Sequence, residues 1–178
     1  GGRIGYDKEW RAIKEISGGG ELIDQGLHLI DLARLFMGEI QEVSGYMPTL
    51  FWDMQVEDNV FMLLKHPGGK PSWLHATWTE WNNTFSLEVQ TKRLKLQVDG
   101  LGGSYGPETL TVYTMKPEMG PPDVEKFEYP GPDQSWSLEW QEFCAAVKEG
   151  REPRASGRDG LAALEAAAKL YAQEKGKS

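Results

Sequence analysis

Between residues 40 and 129 the chain reads almost entirely as strands, and that run limits the folds open to it. The segments IQEVSGYMPT, VEDNVFMLLK, PSWLHATWTE, TFSLEVQ, RLKLQVD, ETLTVYTM and VEKFEYP are rich in β-branched and aromatic residues. Short turns such as HPGGK separate neighbours, which favours antiparallel pairing in one large sheet. WNN between the third and fourth segments reads as a hairpin turn. Within PSWLHATWTE the alternation sets Trp73, His75, Thr77 and Thr79 against Leu74, Ala76 and Trp78.

Helical periods flank this run. Residues 20–37 form the first strong helix, stopped by Gly38, and a short helix over 7–16 precedes it. After the strands, QSWSLEWQEFCAAVKEG gathers Trp136, Trp140, Phe143 and Val147 on one side, and the same pattern places Cys144 in the core. The final helix starts at Ser156, with Asp159 three residues on in a variant capping box. Its stripe reads as Leu161, Leu164, Ala168 and Tyr171. Helix, strands and then two helices make an α+β fold: a large open, mostly antiparallel sheet with helices packed on one face. The other face carries aromatic bulk, which points to a homodimer or higher oligomer through it.

Composition narrows the function. The 178 residues carry a net charge of −8, so phosphate backbones and anionic membrane surfaces repel the chain. No apolar run is long enough to span a bilayer, and the first residues, GGRIGYDKEW, hold no apolar signal-peptide core. A single cysteine suits a reducing cytoplasm.

The chemistry concentrates in SGGGELIDQGLHLIDLARLFMGE. At about 100° per residue, with Asp24 at zero, His28 falls near +40°, Asp31 near −20° and Glu21 near +60°. Leu22, Ile23, Leu29, Ile30 and Ala33 occupy the other side. This narrow polar stripe has three readings. It is a solvated face, or Asp24 orients His28 for proton transfer near neutral pH, or the residues are part of a metal site completed by His66 or His75. No spacing supports the metal. His75 reads as satisfied within the sheet and His66, in its turn, as exposed. The three glycines ahead of the helix allow close approach of another chain segment or a ligand. GLGGSYG at 100–106 imitates a dinucleotide fingerprint, but strand-forming ETLTVYT follows it where a helix is needed.

The glycines, Asp24, His28, Asp31 and Gly38, together with VEDN, LHATWTEW, LQVDGLGGSYG and ASGRDGLAALEAAAKLY, resemble the C-terminal domain of the Gfo/Idh/MocA oxidoreductases. These include glucose–fructose oxidoreductase and inositol dehydrogenase. The resemblance implies a dihydrodipicolinate-reductase-like α+β domain beside an N-terminal Rossmann domain that binds NAD or NADP. It implies His28 as the general acid/base and Asp24 as its substrate-binding or orienting partner. Tyr6, Asp7, Lys8, Trp10 and Arg11 lie where the family places a substrate loop, with the hydrogen-bonding groups and ring that sugars and polyols require. Trp78 and Trp81 read first as core or interface residues and second as walls of that pocket.

The Rossmann domain and its Glu-Lys-Pro motif are absent from residues 1–178. The chain is therefore expected to be a truncated substrate-binding and oligomerisation domain, inactive by itself. Its complete parent is expected to be a cytoplasmic dehydrogenase acting on a sugar or polyol. The alternative is a non-catalytic carbohydrate-binding or assembly module of the same fold.

Overall fold

The computed structural model describes residues 4–176. Two 3₁₀ turns, Tyr6–Lys8 and Trp10–Ala12, lead into a single helical turn α1 (Lys14–Ser17). A π-helical turn (Leu22–Gly26) runs into α2 (Leu27–Met37). Strands β1 (Glu42–Tyr46), β2 (Asn59–Lys65), β3 (Pro71–Thr77), β4 (Ser86–Gln90), β5 (Leu94–Asp99), β6 (Thr109–Thr114) and β7 (Asp123–Glu128) follow. Helices α3 (Ser135–Glu149) and α4 (Gly157–Lys175) close the chain.

All seven expected strands form and every pair is antiparallel. They pair as two sheets, β1-β2-β3 and β4-β5-β6-β7, rather than one. The expected WNN hairpin is not made, because β3 and β4 each find their partner elsewhere. The chain divides accordingly into two compact units, residues 1–81 with 155–178, and residues 82–154.

In the first unit α2 and α4 cover one face of β1-β2-β3. Val43, Val60, Met62, Leu64 and Ala76 point into a core shared with Leu22 and Ile30 and with Ala163, Ala166, Ala167 and Leu170 of α4. Thus α4 buries alanines rather than the expected Leu161 and Leu164, which are exposed. Small residues let the helix approach closely, and at Gly45 of β1 an added Cβ would meet the Phe61 carbonyl at 2.5 Å and Leu170 at 3.0 Å. The expected cap holds. Ser156 Oγ accepts from the Arg158 N–H, and the Asp159 carboxylate accepts from the Ser156 N–H at 2.9 Å. Arg34 of α2 donates to Glu39 at 2.7 Å and to Asp159 at 3.4 Å, tying the two helices together. The opposite sheet face shows Tyr46, Leu63 and Trp73, the last 69% exposed. His75 is also exposed there. It stacks on Phe61 with ring centroids 4.3 Å apart and bonds Asn59.

His66 is the reverse of the sequence expectation. It is fully buried, with Nδ1 2.8 Å from the Gly38 carbonyl and Nε2 2.9 Å from Ser72 Oγ. The carbonyl only accepts, so Nδ1 carries the hydrogen and Nε2 accepts from Ser72. A turn residue became a buried pin because its ring folds back under the end of α2.

The second unit is the β4–β7 meander with α3. Leu87 and Val89 of β4 pair across to Val98 and Leu96 of β5, which pair with Leu110 and Val112 of β6. The glycine loop at 100–106 connects β5 to β6, as its sequence requires. Gly100 has φ +79°, and an added Cβ would strike the Pro107 carbonyl at 2.2 Å. On α3, Trp136, Trp140, Phe143 and Val147 are exposed, and so is Cys144, contrary to the expectation of core packing. Helical period groups residues on a face, but it does not say that the face is covered.

Candidate active site

The site is built where the glycine run meets the residues just ahead of β2. Gly18, at φ +78°, ends α1. Gly19 lies beneath the Tyr171 hydroxyl, which an added Cβ would meet at 2.1 Å. At Gly20 it would meet the Glu57 carbonyl at 2.0 Å. The glycines therefore admit another segment of the chain itself. Glu57 anchors that segment: Oε1 accepts from the N–H groups of Gly20 (3.0 Å) and Leu22 (3.2 Å) and from the Tyr171 hydroxyl (2.6 Å). Burial, and then the charge of Glu57, push the Tyr171 phenol well above its ordinary range, so it serves as a donor.

Next in VEDN, Asp58 is fully buried. Its carboxylate accepts from the N–H groups of Leu50, Phe51 and Trp52 and from the Asn59 amide at 2.8–3.0 Å. These donors hold it below the usual carboxylate range against the opposing effect of burial, which is the largest single influence. This fixes the loop that presents Trp52.

The π turn brings Asp24 out of this framework. Its Oδ2 accepts from the Trp78 indole N–H at 3.1 Å and lies 3.7 Å from Arg11 Nε. Tyr6 packs on Trp78 with centroids 4.7 Å apart and on Trp52 at 6.2 Å. Burial, and next Asp24, raise the Tyr6 phenol far above its ordinary range. The Arg11 guanidinium sits 4.9 Å from the centre of the Trp10 ring. One turn on, His28 is exposed, as is Asp31.

The polar stripe is therefore not uniformly solvated. His28 and Asp31 face solvent, Asp24 is partly covered and Glu21 is buried. Of the five loop residues singled out in the sequence, Arg11 meets Asp24, Tyr6 supports it through Trp78, and Trp10 carries Arg11. Among the described residues, no hydrogen bond or ion pair joins Asp7 or Lys8 to Asp24 or His28. The expected short helix over 7–16 is instead two 3₁₀ turns and one α turn, and this broken path lets Tyr6 turn inward while Trp10 stays outside. Trp78 serves both as core and as a partner of Asp24, whereas Trp81 is exposed. Sequence reasoning placed Glu21 on the stripe, Glu57 and Asp58 in a motif and Tyr171 on a helix face, but missed that they meet at the glycine run. A wheel sees neighbours within one helix, and these residues act across long separations. No group of three or more metal-ligating side chains occurs among the described residues.

Comparison places the chain in a family. The GFO/IDH/MocA C-terminal domain family matches residues 2–105, and the chain belongs to it. It resembles the solved aldose–aldose oxidoreductase of Caulobacter crescentus complexed with glycerol (25% identity, TM-score 0.79), covering 98% of this chain and 51% of that one. It also resembles levoglucosan dehydrogenase in complex with NADH and levoglucosan (22%, TM-score 0.73; 90% and 51%). A third is an Agrobacterium radiobacter oxidoreductase in complex with NAD+, L-tartaric acid and magnesium (17%, TM-score 0.72; 94% and 50%). The chain thus spans about half the length of the structures it matches. No curated protein matches it by sequence. No helix among the described residues is long and apolar enough to cross a membrane.

Proposed function

We propose that this chain is the substrate-binding and oligomerisation domain of an NAD(P)-dependent oxidoreductase acting on a sugar, polyol or related hydroxy compound. The observation that carries the reading is the Asp24 carboxylate, held by Trp78 and Arg11 one turn from an exposed His28. A carboxylate fixed at that point accepts a substrate hydroxyl proton in a hydrogen bond. The exposed imidazole takes the proton of the hydroxyl being oxidised. Trp10 and Arg11 offer a ring and a guanidinium to the C–H and O–H groups of such a substrate. The solved relatives complexed with glycerol and levoglucosan support a polyhydroxy ligand.

This chain's own residues do not fit a dinucleotide. The loop at 100–106 leads into β6, so it lacks the helix N-terminus that receives a pyrophosphate. The hydride acceptor, a nicotinamide, is assigned to a domain outside residues 1–178, and the chain alone is expected to be inactive. The exposed face carrying Tyr46, Leu63 and Trp73 favours assembly as a second role, through a dimer or higher oligomer.

The test is turnover with NAD+ or NADP+ across sugars and polyols, in a protein joining this chain to its cofactor domain. His28→Ala should lower kcat about 100-fold or more with an unchanged melting temperature. Wild-type turnover in that variant would leave the binding or assembly module as the reading.

A further inference from the structure

Four carboxylates converge where the glycine run meets β2: Glu21, Asp24, Glu57 and Asp58. Three of them have donors. Glu57 takes two main-chain N–H groups and the Tyr171 hydroxyl, and Asp58 takes three main-chain N–H groups and the Asn59 amide. Asp24 takes the Trp78 indole and faces Arg11. Glu21 is different. It is 1% exposed, and its Oε2 is sealed from solvent with no hydrogen-bond partner among the described residues.

An ionised carboxylate with an oxygen sealed away from any donor costs several kcal/mol, and three more acids beside it add to that cost. A protonated one costs far less and has an O–H to give. Asp24 on its own helix and Glu57 and Asp58 ahead of β2 act on Glu21 in one direction, the amino-terminal charge of the chain acts in the other, and the Tyr6 phenol of the N-terminal turns lies within its field. Arg11 is committed to Asp24. If Glu21 were ionised, it and Asp24 would form a like-charge pair in which one must take up a proton.

We propose that Glu21 is a proton-holding positioning residue: carried as the neutral acid, it leaves Asp24 as the ionised carboxylate that pairs with Arg11 and faces substrate. This rests on reading Asp24 and His28 as the reacting face. In keeping with it, burial first, and then Asp24 and Glu57, push the Glu21 carboxyl up to about 9.

Infrared difference spectroscopy on the 178-residue chain reads the proton directly. A carbonyl stretch of a protonated carboxylic acid is expected at neutral pH, absent in Glu21→Gln and retained in Asp24→Asn. Its alkaline midpoint should fall by about a unit in Asp24→Asn. No band at neutral pH, or a band that survives Glu21→Gln, overturns the proposal.

Should Glu21→Gln not fold, carbon-13 carboxyl NMR of the wild-type chain replaces it. One glutamate carbon in its acid form at neutral pH supports the proposal, and all glutamates ionised overturns it. With the cofactor domain present, Glu21→Gln should move the alkaline limb of kcat/KM, and an unmoved limb overturns the positioning role. Wild-type turnover in both Asp24→Asn and His28→Ala instead overturns the underlying reading, while leaving the infrared band where it was.

Discussion

Trp78, the residue after β3, donates its indole N–H to the Asp24 carboxylate 54 positions earlier in the chain, at 3.1 Å. A core side chain thereby sets the direction of a site carboxylate. The same ring packs on Tyr6, so the aromatic cluster and the polar face are one structure.

Trp78→Phe keeps most of the ring and removes the donor. Chemical denaturation should show a loss of about 1.5–3 kcal/mol, the range for a bond to a charged group. In an active parent, KM or kcat should change as well, because Asp24 loses the contact that orients it. Unchanged stability and kinetics together would show that the bond does not orient Asp24.

Gly20→Ala should be among the most damaging single-methyl changes in the chain. Its Cβ would meet main-chain atoms of Glu57 that cannot step aside, with the carbonyl oxygen 2.0 Å away. Gly19→Ala meets mainly the Tyr171 side chain, so Tyr171→Phe should relieve part of its cost. A double-mutant cycle by thermal melting reads this as a coupling, and additive losses would place the strain elsewhere.

Stability should respond to pH through Glu21 in a defined direction. Its folded-state value, about 9, lies above the ordinary 4.5, so the native state keeps a proton that the unfolded chain has released. The stability it contributes is complete below the ordinary value and declines as pH rises through the window between the two. The slope is about 1.4 kcal/mol per pH unit for one such group. Glu21→Gln removes that slope, so the difference in stability between variant and wild type should grow in the variant's favour from pH 5 to 8. A constant difference across that range would contradict the assignment.

His66→Phe preserves bulk but leaves the Gly38 carbonyl and Ser72 hydroxyl without their ring partner. A loss of about 2–3 kcal/mol is expected, the scale for stranding buried polar groups. Denaturant melts check it. A neutral result would mean that both groups find other partners.

The sequence alone determined the strands, because a period of two shows in each segment without knowledge of its partner. It also determined the Ser156 cap, the Gly38 stop, the strand–loop–strand nature of 100–106, and the Asp24–His28 stripe, all matters of local spacing. The resemblance carried by these motifs led to the family. Tertiary structure decided the rest. Gly19 and Gly20 are required by Tyr171 and Glu57, residues that no local pattern connects to them. Glu21 lies on the polar side of a wheel yet is buried, because the segment before β2 closes over it. His66 sits in a turn yet is buried, because its ring bonds the end of α2. The seven strands divide between two sheets because pairing depends on where each segment finds a partner. Periodicity reports which side chains share a face. What covers that face is set by chain segments tens of residues away, and only the fold brings them together.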